Sequence, residues 1–481
     1  VCSSDLAMET VKIAKQKPFV RDHVSNKGLF MLIMMAYDTK SICRLGGHMN
    51  YPTNEQNHLT IDHVDAVDLA STYGTPLYVY DVTKIRQTMR AFKAIFEKEN
   101  VPYIVSYASK AFATKAIYQV AQQEGIHADV VSGGELYTAI QAGFNPKHLS
   151  FNGNNKSWDE LMMAVQQGIG TVIVDNFLEL QLLSEIAEKC QVVQDILLRI
   201  SPGISAHTHE FISTGQQDSK FGFDLLTGQA KAAYDIASQD SHFHLRGLHA
   251  HIGSQIFDVT GFEKNAALLA DTAQSWGWQP DIINVGGGFG IRYTDDDEPL
   301  PESDYVSAII RTLKGKAAEY DWKMPEIWIE PGRSVVGPAG QTLYTVGARK
   351  DIPDMRHYIA VDGGMGDNIR PALYEANYEA VLANQPNIPA QEVVRVAGKY
   401  CESGDVLVWQ QKLPKTQAGD ILSVLATGAY GYAMASNYNR NPRPAVVFVE
   451  NGQHQLVVAR ETYEHIAALD RDYTLSANMT H

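Results

Sequence analysis

Three separated stretches of this sequence carry side chains whose types could act together. The first is SYASKAF, Ser106 to Phe112, in which a run of β-forming residues stops on Lys110. A lysine that loses solvation in a cavity is driven toward its neutral amine, and a neutral amine can form a Schiff base with an aldehyde. The second is NVGGGFG, Asn284 to Gly290. Consecutive glycines after an apolar strand let backbone N–H groups close around an anion such as phosphate. The third is EIWIEPGR, in which Glu330 ends an apolar run and Arg333 follows it. A buried glutamate is costly unless paired, and a protonated ring nitrogen would pair it. Each stretch also has an ordinary reading: a solvated strand-end lysine, a tight turn, a structurally partnered glutamate. As a set, they meet the requirements of pyridoxal 5'-phosphate. Lys110 would hold the aldehyde, Gly286, Gly287, Gly288 and Arg333 the phosphate, and Glu330 the pyridinium nitrogen.

His251, in HAHIGS, would lie flat against such a ring. Its other readings are a hydrogen-bonded core histidine or a metal ligand beside His249. Two histidines without a third ligand make the poorer metal site, and no metal is expected. Glu330 also constrains the chemistry. A ring kept protonated is a strong electron sink and favours loss of CO2, whereas a cationic partner would favour racemisation.

These residues need a frame that brings them together. From residue 83, β-rich runs alternate with stretches of helical periodicity. The runs are residues 103–109, 127–132, 148–153, 171–176, 195–201, 245–253, 282–288 and 326–332. A doubly wound sheet would accommodate that alternation, but eight βα units in about 250 residues fit a (β/α)8 barrel better. Barrel chemistry gathers at the carboxyl ends of the strands, where Lys110, Asp129, Arg199, His251, Ser254, the glycine run and Glu330 all fall. After Pro338 the texture changes to strands joined by Gly, Pro and Asp turns, which predicts a mostly antiparallel β domain. The expected division is an N-terminal segment 49–82 contributing to the β domain, a barrel 83–337 and a β domain 338–481. The opening VCSSDL reads as a sequencing or cloning remnant, Met49 as the start, and residues 1–48 as an artefactual or disordered extension.

Composition narrows the partners. A formal net charge of −15 with no basic block argues against nucleic acid. No apolar run is long enough to span a bilayer. The four cysteines, Cys2, Cys43, Cys190 and Cys401, show no paired or zinc-like spacing and read as reduced thiols of a cytoplasmic protein.

From about Thr75 to its end, the chain resembles the fold-type III pyridoxal-phosphate decarboxylases. The resemblance is carried by YASKAF, DVVSGGEL, HAHIGSQ, NVGGGFG, EPGRSVVGPAG, DGGMGDNIRPALY, CESGDVL and GAYGYAMASNYNRNPRPA. It implies Lys110 as the Schiff-base lysine, Asp129 and Arg199 in the cofactor pocket, and His251 stacked on the ring. It implies Ser254, Gly288, Arg333 and Tyr430 at the phosphate, with Arg333 and Tyr430 also reaching substrate. Arg370 and Tyr374 would bind the distal end of the substrate. Cys401 and Glu402 would enter from the second subunit of a homodimer, the thiol as proton donor and the carboxylate binding a distal amino group. An arginine suits a distal carboxylate, which points to diaminopimelate and its conversion to lysine. Decarboxylation of ornithine, arginine or a carboxylated polyamine is the alternative, and a non-catalytic cofactor-binding homologue another. THEFISTGQQDSKFGF, residues 208–223, reads as a flap over the barrel mouth.

Overall fold

The computed structural model describes residues 50–203 and 219–473. The expected N-terminal extension 1–48 and most of the expected flap lie outside the described residues.

Eight parallel strands close into a barrel: β1 (Tyr103–Ala108), β2 (His127–Val130), β3 (Leu149–Phe151), β4 (Thr171–Val174), β5 (Gln194–Ser201), β6 (Phe243–His249), β7 (Ile282–Asn284) and β8 (Glu326–Ile329). Closure comes from β8 pairing with β1, Ile327 opposite Tyr103, and from β5 pairing with β6, Leu198 opposite Leu248. The strands read as nearly continuous apolar runs because both faces are covered; all four residues of β4 are buried.

Three of the strands are followed by a helix whose first turn is capped by a side chain from the connecting loop. Ser132 accepts from the Glu135 N–H, Ser157 forms a capping box with Glu160, and Asn176 accepts from the Glu179 N–H. Such caps satisfy N–H groups that have no partner inside the helix. The helix Val82–Glu99, capped by Asp81, buries Ile85, Met89, Phe92 and Phe96 at helical spacing and packs on the helix Glu302–Glu319. The architecture is therefore the (β/α)8 barrel, with the eight strands at the eight runs.

Seven of the eight runs overreach the ladder, and three do so by three or four residues. β6 ends at His249, β7 at Asn284 and β8 at Ile329, each before the residues with chemistry. Lys110 likewise sits on a 3-10 turn, Ser109–Ala111, and Arg333 opens the short helix Arg333–Val336. Period-2 apolar patterning does not mark where a strand leaves its neighbour.

The second unit of structure is a mostly antiparallel sheet. Its long strand Gly340–Ile352 pairs antiparallel with Arg356–Val361, Ile421–Val424 and Leu77–Asp81. Leu77–Asp81 also pairs in parallel with Ala445–Glu450, so a segment preceding the barrel lies inside the sheet formed after it. Two strands escape the sequence reading. Gln453–Val458 completes a hairpin with Ala445–Glu450 across Asn451 and Gly452, both at positive φ, the usual two-residue hairpin turn. Ala380–Leu382 is too short to show a period. Among the described residues, no helix is long and apolar enough to cross a membrane.

Candidate active site

The carboxyl ends of the barrel strands and the β domain together bound a cavity of about 380 Å³. From the barrel it is lined by Lys110, His251, Ser254, Gly287, Gly288, Glu330 and Arg333. The β domain adds Arg370, Tyr374 and Tyr430. The two units are tied at the lysine itself: the Tyr430 N–H donates to the Ala111 carbonyl at 2.8 Å. Lys110 makes no hydrogen bond or ion pair with another described side chain in this arrangement; it lines the cavity but is exposed, not stripped of solvent as the sequence suggested.

Glu330 is the best-held group. Its Oε2 lies 3.1 Å from Nε2 of His249 on β6, and its Oε1 accepts from the Asn284 amide at 2.7 Å. Burial pushes this carboxyl up, but attraction to His249 and the hydrogen bonds from His249 and Asn284 outweigh it and hold the group down at about 2. The amide of Asn152 bridges Glu330, at 3.4 Å, to Asp129, at 2.8 Å. Asp129 takes the opposite direction: its own burial and the charge of Glu330 push it well up, against hydrogen bonds from Asn152 and Ser150. Two buried carboxyls this close cannot both ionise easily; Glu330 is the ionised one.

His251 is driven to its neutral form by burial and by the positive charges of Lys110 and Arg199. Its Nδ1 accepts from the Gly287 N–H at 3.2 Å, which leaves the proton on Nε2. Arg199 is buried, with Asp175 at 3.7 Å and the Phe221 ring 4.2 Å from its guanidinium. Arg333 donates through Nε and Nη2 to Ser254 Oγ at 3.1 and 3.0 Å.

The glycine run corrects one expectation. It does not offer three amides to an anion: the Gly286 N–H goes to Asn284 Oδ1 at 2.9 Å and the Gly287 N–H to His251. These two glycines serve close packing instead. A Cβ on Gly286, at φ +72°, would sit 2.8 Å from the Ala250 carbonyl oxygen, and one on Gly287 2.1 Å from that of Glu330. Gly288 lines the cavity wall.

Asp129, Arg199 and Gly286 are buried but do not line the cavity; they contact Asn152, Asp175 and Asn284 respectively. Cys401 and Glu402 are exposed and stand outside it; the Cys401 N–H is held by Asn439. Sequence reasoning missed Asn152, Tyr293 and Tyr378, and gave Asn284 no role. Asn284 opens the glycine motif itself, which was the available signal. Nothing in the local sequence marks Tyr378, whose hydroxyl accepts from Arg370.

The residues fit pyridoxal phosphate. An ionised carboxylate, a cavity-facing lysine, a neutral imidazole, and an anion cradle of Ser254, Gly288 and Arg333 border one space. Comparison with known proteins agrees. Residues 82–337 match the family model "Pyridoxal-dependent decarboxylase, pyridoxal binding domain". The chain is 56% identical over 418 residues to a diaminopimelate decarboxylase of Bacillus methanolicus, covering 86% of this chain and 97% of that protein. It is 55% identical over 421 residues to that of Bacillus subtilis (strain 168), covering 87% and 96%. The crystal structure of diaminopimelate decarboxylase from M. jannaschii superposes with a TM-score of 0.82 at 36% identity, covering 88% of this chain and 98% of that one. With these matches spanning most of its length and the cofactor-type residues gathered in one barrel mouth, the chain belongs to the pyridoxal-dependent decarboxylases, in the diaminopimelate decarboxylase family.

Proposed function

We propose that this protein decarboxylates meso-2,6-diaminopimelate to L-lysine and CO2 with pyridoxal phosphate as cofactor, the last step of lysine biosynthesis. The observation that carries the substrate is a pair of buried arginines, Arg333 and Arg370, in the same cavity as Lys110 and Glu330. Among the described residues neither arginine pairs with a carboxylate. Buried cations want anionic partners: the cofactor phosphate supplies one for Arg333, and the distal carboxylate of a diamino diacid supplies one for Arg370.

Bound pyridoxal phosphate supplies the electron sink that accepts the pair left by departing CO2. Lys110 would hold the cofactor through its aldehyde. Glu330 stays ionised and keeps the proton on the ring nitrogen, which its three donors position. His251, neutral and fixed by the Gly287 N–H, offers a flat face without adding charge. Ser254, Gly288, Arg333 and Tyr430 hold phosphate, and Arg370 with Tyr374 binds the distal carboxylate.

Cys401 and Glu402 complete the site across a homodimer interface, the thiol protonating the substrate carbon and Glu402 binding the distal ammonium. Their exposure on the single chain supports that reading. The reduced thiols of Cys190 and Cys401 suit the cytoplasm, and the acidic charge leaves nucleic acid without an attraction.

The test is to incubate purified protein with pyridoxal phosphate and meso-diaminopimelate, assay lysine and CO2, and record the absorbance spectrum of wild type and Lys110→Ala. Lysine formation, with a long-wavelength band lost in the variant, is expected. A band without lysine would move the substrate to another amino acid. No band would remove the cofactor.

A further inference from the structure

Cys401 opens a run of four exposed residues, Cys401–Gly404, yet its backbone is held. Behind it, the Tyr400 N–H donates to Asp405 Oδ2 at 2.8 Å. Oδ1 of the same buried carboxylate accepts from the Met365 N–H at 2.6 Å. The turn also closes on itself. The Glu402 N–H donates to the Tyr400 carbonyl at 2.8 Å, and the Asp405 N–H to the Glu402 carbonyl at 3.1 Å. Cys401 takes its own partner from another segment: its N–H donates to the side-chain oxygen of Asn439 at 2.8 Å, across 38 positions of chain.

Asn439 is fixed in its turn. Its backbone lies in the left-handed region, at φ 49° and ψ 24°, which asparagine tolerates better than most residues other than glycine. Its neighbours are fastened on both sides. The Tyr438 ring lies parallel to that of Tyr400, with centres 5.9 Å apart. The Ser436 N–H donates to the Gly366 carbonyl at 2.9 Å, the Asn437 amide to Glu461 at 2.6 Å, and Arg440 pairs with Asp470 at 2.7 Å. A fixed acceptor therefore meets a fixed turn at the one residue that bears the thiol.

We propose that Asn439 is a positioning residue for Cys401: its side-chain oxygen sets the Cα from which the thiol reaches the substrate carbon. This rests on the reading of Cys401 as proton donor. Proton transfer requires the donor within hydrogen-bond reach of its target, and a small displacement of a positioned group lowers the rate steeply. Asn439 touches no reacting atom; it acts through the backbone of Cys401.

The test is steady-state kcat and KM of the cofactor-loaded enzyme on meso-diaminopimelate, for Asn439→Gly and Asn439→Asp, and for Asn439→Gly placed on Cys401→Ala. Glycine keeps the left-handed backbone and removes the acceptor. It should lower kcat about tenfold with KM little changed. Aspartate keeps an acceptor oxygen and should recover most of that rate. On Cys401→Ala, whose residual turnover is followed at high enzyme concentration, Asn439→Gly should cost nothing further, because groups that act as a unit are not additive. Loss of folded protein would slow both backgrounds by the same factor, so an equal loss in both would overturn the role of Asn439. An unchanged kcat in Asn439→Gly would overturn it too and leave the thiol reading standing. A Cys401→Ala enzyme at the wild-type rate would overturn both.

Discussion

Nε2 of His249 lies 3.1 Å from Oε2 of Glu330, and both side chains are more than nine-tenths buried. The contact joins the end of β6 to the end of β8 and is one reason Glu330 stays ionised. An ionised carboxylate at a ring nitrogen is a preorganised electrostatic device, and such groups are worth roughly 10²–10³ in rate. Glu330→Gln should lower kcat by that order. His249→Ala leaves Glu330 its two asparagine donors and should cost less, about tenfold, while His249→Gln, which restores a donor, should recover part of it. Steady-state kcat for the three variants checks the order. A full-rate His249→Ala enzyme would show that the histidine is only packing.

Stability should fall as pH rises through neutrality because of Asp367. Burial pushes this carboxyl up to about 7; Asp362 and Asp405 add to the shift, against a hydrogen bond from the Gly364 N–H. Its folded-state value is raised above the unfolded one, so its contribution is fully present below about pH 4, the unfolded value. The contribution is lost as the unfolded chain ionises first and pH climbs through about 7. Asp367→Asn cannot ionise. The difference in melting temperature between pH 5 and pH 8 should therefore be smaller in the variant than in wild type.

Why were some parts of this structure legible in the sequence and others not? The barrel was, because strands buried on both faces must be apolar and the helices between them keep an apolar face at helical period. The cavity residues Lys110, His251, Glu330 and Arg333 were also legible, since each follows closely on the end of an apolar strand. What escaped was whatever depends on contact between remote segments. Asn152 shows no local signature, yet it lies between Asp129 and Glu330. Tyr293 and Tyr378 belong to separate segments and acquire meaning only where the barrel loop meets the β domain. The glycine run was read as an anion cradle because its amides looked free; the acceptors that occupy two of them, Asn284 Oδ1 and His251 Nδ1, are side chains whose direction a sequence does not give.

A second buried charge pair sets a stability prediction. Lys156 Nζ lies 2.6 Å from Glu179 Oε1, with both side chains 2% exposed, and also donates to the carbonyls of Gly153 and Ile173, each at 2.9 Å. Removing one partner of such a pair strands the other charge and typically costs about 3–5 kcal/mol. Lys156→Met should be destabilised by that order in denaturant titration. Lys156→Met with Glu179→Leu removes the stranded charge and should regain much of the loss. Equal destabilisation of the single and double variants would show that the carbonyl contacts, not the charge pair, matter.

Cys401 and Glu402 are exposed and outside the cavity that holds Lys110, which a site shared between two copies of the chain explains. The arrangement makes a complementation prediction. Lys110→Ala and Cys401→Ala should each be nearly inactive alone. In a mixed dimer, one site receives both defects and the other neither. Random reassortment of equal amounts makes half the dimers mixed, with one intact site each, so activity should return to about a quarter of wild type for a symmetric twofold interface. The variants should be mixed under conditions that exchange subunits, confirmed by mass measurement of tagged chains. Exchange without recovered activity would place Cys401 and Lys110 in the same site of one chain, or remove the thiol from the chemistry.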